Sequence, residues 1–257
     1  RLFDLEGDAG GLGPARGGGT WPETPDQAQR DRPLPDPHRR TDLIATLATL
    51  ALLLAWDAAG FDLATARLFG DAAGFPWREH WLTRDVLHEG GRNAAWVVYG
   101  VLIASLWLPV PLLRELPRRS RLWWVLTVLA CVLLIPVLKR MSLTSCPWSL
   151  AEFGGVAQYV SHWRLGVGDG GDGRCFPSGH ASGAFAFLAG WFALRERHRR
   201  AAGAWLAGVL LVALVFGGAQ LVRGAHYPSH TLWTGWICWA LCAASWHLTA
   251  RWRHAGA

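Results

Sequence analysis

Three polar clusters interrupt apolar stretches of this sequence. Residues 177–180 read Pro-Ser-Gly-His, residues 226–230 read His-Tyr-Pro-Ser-His, and Lys139 closes a third apolar stretch. Proline, serine and glycine favour the first turn of a helix, and free backbone amides at a helix start bind anions. Histidine beside such a turn can transfer a proton or attack as a nucleophile. The pattern indicates phosphate chemistry, although each motif alone also fits an ordinary capped helix.

The segments that must position these residues are apolar enough to cross a bilayer. Of the 257 residues, 51% are hydrophobic and 17 are tryptophan. Five stretches lack Asp, Glu, Lys and Arg, and most approach the roughly 20 residues that a transmembrane helix needs. These stretches are residues 93–113, 122–138, 175–194, 201–222 and 224–250. We count residues 43–56 as a sixth, shorter span, because no typical signal-peptide cleavage site follows them.

The distribution of positive charge predicts the orientation of the spans. The net charge is +6, and with six spans all the arginine clusters fall on one side, which the positive-inside rule makes cytoplasmic. The clusters are Arg30, Arg32, Arg39 and Arg40; Arg114, Arg118, Arg119 and Arg121; Arg195, Arg197, Arg199 and Arg200; and Arg251 and Arg253. We therefore expect a membrane lipid as partner and no nucleic acid. Lys139, His180 and His226 then share the opposite, non-cytoplasmic face.

Composition divides the chain into three parts. Residues 1–41 are rich in glycine and then in proline among charged residues, which is typical of a disordered tail. Residues 42–250 form the predicted membrane domain, and residues 251–257 a short basic tail. The sequence contains no indication of the oligomeric state.

The motifs together resemble a known signature. They are similar to the three-part signature of the type 2 phosphatidic acid phosphatase (PAP2) family. The three parts here are Lys139 followed by Cys146-Pro147, then residues 177–180, and then Gly224-Ala225-His226-Tyr227-Pro228-Ser229. The resemblance covers about residues 95–250 and implies an all-α, six-helix integral membrane bundle. It also implies hydrolysis of a lipid phosphate or diphosphate monoester at the non-cytoplasmic surface, without a metal or other cofactor. In a bacterial host this would be an inner-membrane enzyme that faces the periplasm.

The resemblance implies a role for each motif residue. His226 would be the nucleophile that forms a phosphohistidine, and His180 the general acid. Lys139, Ser178 and the Gly179 amide would form part of the phosphate cradle. Preorganised positive groups of this kind stabilise the charge on a transferring phosphoryl group.

The sequence departs from the family pattern at three places. The first motif of the family ends in Arg-Pro, whereas this chain has Cys146-Pro147. The third motif begins Ser-Arg and carries Asp four residues after the histidine, whereas this chain has Ala219-Gln220 and His230. Two phosphate-binding arginines and an orienting carboxylate are therefore missing from their usual positions.

Other residues offer replacements for the missing groups. The candidate phosphate-binding cations are Arg140, Arg174 and Arg223, of which we prefer Arg223 because it lies three residues before His226. A guanidinium grips phosphate from more than one direction. For orienting His226 the sequence leaves open His230 and an acid of the outer loop, either Glu152 or Asp172.

The five cysteines fall into two groups. Cys131, Cys238 and Cys242 lie in apolar spans and are expected to pack as small hydrophobic residues. Cys146 and Cys175 flank the long outer loop, where an oxidising exterior permits a disulfide. We predict this bond, which closes a loop of about 30 residues, and the alternative is two free thiols.

Three other functions compete with a phosphatase. The missing arginines leave room for a non-catalytic lipid-phosphate binder or carrier with the same fold. A lipid phosphotransferase would pass the phosphoryl group to another lipid in place of water. A metal site at His180, His226 and His230 is the least favoured reading, because the sequence contains no His-Glu-x-x-His or paired Cys-x-x-Cys motif, and we predict no metal ligands.

Overall fold

The computed structural model describes residues 38–254, and this region is helical. Within it there is no β-strand, only isolated bridges between Asp71 and Gly74 and between Leu150 and Ala157. The helices are α1 (Arg39–Ala59), α2 (Phe61–Ala66), a π-helix (Leu82–Gly90), α3 (Gly91–Ala104), α4 (Arg118–Met141), α5 (Ser182–Phe185), α6 (Ala189–Leu194), α7 (Arg199–Val222), α8 (Pro228–Leu248) and α9 (Ala250–His254). Short 3₁₀ turns cover Leu113–Glu115, Pro147–Ser149, Ala151–Phe153 and Ala186–Leu188. The all-α fold is confirmed.

Three of these helices, α1, α4 and α7, are long and apolar enough to cross a membrane. Their outer faces carry exposed apolar side chains such as Leu52 and Leu214, each 72% exposed, which suits a lipid environment. The remaining predicted spans also contain helices, but α3 has only 14 residues. It ends at Ala104 because Pro109 and Pro111 cannot continue a helical hydrogen-bond ladder. The number of spans, six, therefore stays a prediction.

The segment from Ser182 to Leu194 is a broken helix at the centre of the bundle. It starts four residues later than the helix start predicted at Ser178, and the 3₁₀ turn separates α5 from α6. Trp205 Nε1 donates a 2.7 Å hydrogen bond to the Phe187 carbonyl within that turn. A Cβ atom on Gly190 would lie 2.2 Å from Trp205 Nε1 and 2.4 Å from Trp124 Cζ2, so only glycine permits this approach.

A buried ion pair joins three helices at one end of the bundle. Arg195, just after α6, donates to both carboxylate oxygens of Asp42 in α1, each at 2.7 Å. His247 Nε2, near the end of α8, lies 2.9 Å from Asp42 Oδ2. These contacts place the start of α1 and the ends of α6 and α8 together, as alternating spans require. Arg195, one of the arginines in the third basic cluster, is therefore buried and paired, and the orientation of the spans stays a prediction.

The predicted tails lie largely outside the described residues. Of the tail assigned to residues 1–41, residues 1–37 are outside, and α1 already begins at Arg39. Of the tail assigned to residues 251–257, residues 251–254 belong to helix α9 and residues 255–257 are outside.

Candidate active site

The candidate active site lies at the other end of α8 from the buried ion pair. Lys139 stands in the last turn of α4, Gly179 and His180 precede α5, and His226 precedes α8. Lys139, Gly179 and His180 line one cavity. The Nζ atom of Lys139 lies 3.7 Å from the position that a Cβ atom would take on Gly179. The fold thus brings Lys139, Gly179 and His180 together at one cavity, whereas Ser178, Arg223 and His226 are not among the residues that line it.

The turn that carries Ser178 is bonded to α8. The Ser178 amide donates to the His230 carbonyl at 3.0 Å, and Thr234 Oγ1 donates to the Ser178 carbonyl at 2.9 Å. The Ser178 side chain is fully buried, and its Oγ atom has no hydrogen-bond partner among residues 38–254. The Ser178 hydroxyl therefore has a hydrogen-bond donor that no described residue uses.

His180 lies between aromatic rings and positive charges. Its ring stacks on His88, with centroids 4.5 Å apart, and tilts against Phe216 at 4.8 Å. An anion bound beside His180 would favour the protonated form of this ring.

His226 is buried, with 5% of its surface exposed. Its Nδ1 atom lies 3.4 Å from Nδ1 of His230 and 3.4 Å from Sγ of Cys175. A neutral imidazole with a free lone pair is the form that can attack phosphorus.

His230 lies against His226 in the structure, whereas the outer-loop acids Glu152 and Asp172 do not. Glu152 accepts hydrogen bonds from Nε and Nη2 of Arg67. Asp172 is exposed on the outer loop. Of the three groups considered for orienting His226, His230 is therefore the one in contact.

The three candidate cations differ in position. Arg223 is 8% exposed, its Nε atom donates to the Arg78 carbonyl at 2.9 Å, and its charge is near enough to His180 to act on that ring. Arg140 and Arg174 are exposed, and none of the three arginines lines the cavity. Arg223 is thus the candidate that the fold places beside a motif histidine.

These residues fall in the segment that matches a known family, since the model of the PAP2 superfamily matches residues 121–254. The chain belongs to the PAP2 superfamily. The family resemblance of the motifs is therefore confirmed. Membership supports a phosphatase-type activity on lipid phosphates and, together with the three apolar helices, membrane association. Neither the curated proteins nor the solved structures compared with the chain include a match.

Cys146, which stands where the PAP2 motif has arginine, takes part in a disulfide. Cys146 and Cys175 are bonded, while Cys131, Cys238 and Cys242 are free and buried. The two bonded sulfur atoms and a ring nitrogen of His226 lie close enough together to resemble a metal site. Thiolates, not disulfide sulfurs, bind metals, so this group is not a metal site while the bond is intact.

The cavity that Lys139, Gly179 and His180 line has a volume of about 390 Å³ and runs between the helices. Its wall is mostly apolar, with residues such as Val128, Val132 and Phe187. His88 and Arg92 line it beside Lys139, Gly179 and His180, at the end where the motif residues lie. Sequence reasoning missed His88 and Arg92, because they stand in a charged segment outside any motif.

The approach to His226 depends on a glycine. Gly224 has a φ of 69°, and a Cβ atom there would lie 2.3 Å from the ring of Phe75. Its carbonyl accepts a 2.9 Å hydrogen bond from the Trp148 amide. Because L-residues rarely adopt this conformation, glycine is needed for the turn that leads into the third motif.

Proposed function

We propose that this PAP2 protein hydrolyses a lipid phosphate or diphosphate monoester through a phosphohistidine at His226. The observation that carries the proposal is the cavity of about 390 Å³, with apolar walls and a histidine–lysine end. Such a cavity suits a lipid whose hydrocarbon tail lies between helices and whose phosphate meets Lys139 and His180.

The first half of the reaction forms the phosphoenzyme. Nε2 of His226 attacks phosphorus while the bond between phosphorus and the lipid oxygen breaks. His180 gives its proton to that oxygen, so the lipid leaves as an alcohol, or as a monophosphate from a diphosphate. Lys139 and the Ser178 hydroxyl stabilise the charge on the equatorial oxygens.

The second half releases phosphate. His180, now neutral, takes a proton from water, and the resulting nucleophile attacks the phosphohistidine. The bond between Nε2 of His226 and phosphorus breaks, and inorganic phosphate leaves. No step needs a metal or another cofactor. We place the reaction at the non-cytoplasmic surface, in a bacterial host at the periplasmic face of the inner membrane.

One observation favours the alternative of a non-catalytic lipid-phosphate binder. Cys146 is committed to a disulfide, and Arg140 and Arg174 are exposed away from the cavity. The site therefore has fewer cations than the family pattern implies. A phosphotransferase would use the same first half-reaction with a lipid alcohol in place of water.

Phosphate release from a lipid panel distinguishes these functions. The full chain, purified in detergent, is incubated with phosphatidic acid, phosphatidylglycerophosphate, an isoprenyl diphosphate and lipid A. We expect release from at least one lipid, no release by His226→Ala and release slowed about 10²-fold or more by His180→Ala. His198→Ala, at the opposite end of the bundle, is the control. Binding of these lipids without phosphate release would support the binder, and phosphoryl transfer to an added lipid alcohol would support the transferase.

A further inference from the structure

A second polar cluster lies beside the candidate active site. Asp57 is in the last turn of α1, Asp62 in the first turn of α2, and His162 in the outer loop. One carboxylate oxygen from each acid and one imidazole nitrogen all lie within 4.8 Å of one another. The three side chains line a cleft of about 10 Å³, which has room for a single ion or water.

The acidic charge of this cluster is buried. Exposed fractions are 5% for the Asp57 side chain, 7% for the His162 side chain and 5% for Asp62. Among residues 38–254, His162 is the one ion-pair partner of Asp57, with 3.3 Å between Nε2 and Oδ2, and Asp62 has none. No lysine or arginine in that range forms an ion pair with either carboxylate. Two buried carboxylates are costly unless hydrogen bonds and a cation compensate them.

Hydrogen bonds account for only part of this compensation. Asp57 Oδ2 accepts from the indoles of Trp163 and Trp233, at 2.9 and 2.8 Å. Asp62 accepts from the Trp56 indole and the Ser229 amide, each at 3.0 Å, and from the Ser229 hydroxyl, so both of its oxygens have donors. Asp57 Oδ1, however, is buried without a hydrogen-bond partner in the described part of the chain. A buried anionic oxygen in a cleft of ionic size indicates a missing cation.

We propose that Asp57, Asp62 and His162 bind one divalent transition-metal ion of the Zn²⁺ or Mn²⁺ class. Imidazole suits such ions, whereas Ca²⁺ and Mg²⁺ prefer oxygen ligands alone. Three protein ligands leave positions for water. His162 lies far along the chain from Asp57 and Asp62, and the three residues match no metal motif, which explains why the sequence indicated no metal.

The ion has a positioning role. Through Asp62 it holds the first turn of α8 by way of Ser229, three residues after His226. Through His162 it supports the second motif, because that ring stacks on Phe176 with centroids 4.2 Å apart. The ion joins the end of α1 to both histidine motifs and touches none of the atoms that react in the proposed hydrolysis.

Metal binding can be measured without any assay of activity. The full chain in detergent, with its disulfide intact, is stripped with a chelator and titrated with Zn²⁺ by calorimetry and thermal unfolding. We expect one equivalent bound and a rise in Tm of about 5 °C or more at saturating Zn²⁺. Asp57→Asn and His162→Asn should each weaken binding at least tenfold, whereas the matched changes Asp172→Asn and His80→Asn should not.

Three results would overturn the proposal. The first is equal Zn²⁺ affinity in Asp57→Asn and Asp172→Asn. The second is stronger stabilisation by Ca²⁺ or Mg²⁺ than by Zn²⁺ or Mn²⁺. The third needs no variant and holds whether or not the variants fold. It is an elemental analysis, after dialysis of the wild-type chain against Zn²⁺, that finds less than one metal ion per chain.

Discussion

His226 Nδ1 lies 3.4 Å from His230 Nδ1, and both rings are buried. A hydrogen bond between two neutral imidazoles needs one nitrogen to donate and the other to accept. If His226 donates, its Nε2 atom keeps the lone pair that attacks phosphorus. In the proposed mechanism an imidazole would thereby take the place of the carboxylate that orients this histidine in the PAP2 family.

The first prediction concerns this pair. His230→Ala should lower kcat by about 10- to 100-fold, the scale of losing a hydrogen bond to a group that becomes charged. His230→Asp should retain more activity, since a carboxylate accepts the same hydrogen bond. Phosphate release measured as kcat and KM, with Tm as a check on folding, decides this. Equal losses in both variants would mean that His230 only fills space.

The second prediction concerns the missing arginines. Arg223→Ala should raise the inhibition constant of inorganic phosphate by about 10- to 100-fold, because a charge-assisted contact is worth about 1.5 to 3 kcal/mol. Arg164→Ala, which removes an exposed arginine of the outer loop, is the control. Small, equal effects from both changes would point to Lys139, Arg140 or Arg174 as the compensating cation.

The third prediction concerns the proton on His180. As the general acid of the proposed reaction, this ring must hold a proton while the substrate is bound. A bound phosphate anion favours the charged ring, so binding should take up protons from solution. Calorimetry of phosphate binding in buffers of different ionisation enthalpy measures the uptake. The uptake should be smaller in His180→Asn by up to one proton, and identical values would contradict the assignment of His180 as the acid.

The fourth prediction concerns the disulfide. The double change Cys146→Ser and Cys175→Ser opens a loop of about 30 residues, worth about 3 to 4 kcal/mol in the chain-entropy model. We expect a fall in Tm of about 10 °C and lower activity, because Cys175 packs against His226. A reductant should lower Tm in the wild type and leave the double variant unchanged. Alkylation of both cysteines in unreduced native protein would refute the bond.

The polar ends of the bundle were predictable because topology constrains them. If the spans alternate in direction, the end of α4 and the starts of α5 and α8 lie at the same end of the bundle. Lys139, His180 and His226 are therefore expected at that end. Helix starts within the core were not predictable. The Ser178 amide donates to the His230 carbonyl, in another helix, and α5 begins only at Ser182.

Residues outside the motifs could not be found from sequence. His88 reaches the site by stacking on His180, and Arg92 by its position at the start of α3. Both follow from packing between segments that are far apart in the chain. Asp62 contacts Ser229 across 167 positions, for which a single sequence carries no signal.

The nucleophile is tested most directly by trapping the phosphoenzyme. The wild-type chain is mixed with a phosphate-labelled lipid that it hydrolyses, quenched in alkali during turnover and analysed by peptide mass spectrometry. We expect an acid-labile, alkali-stable phosphoryl group on His226, approaching one per chain, which is absent in His226→Ala and present in His198→Ala. Turnover without any phosphohistidine, or turnover retained by His226→Ala, would contradict the account.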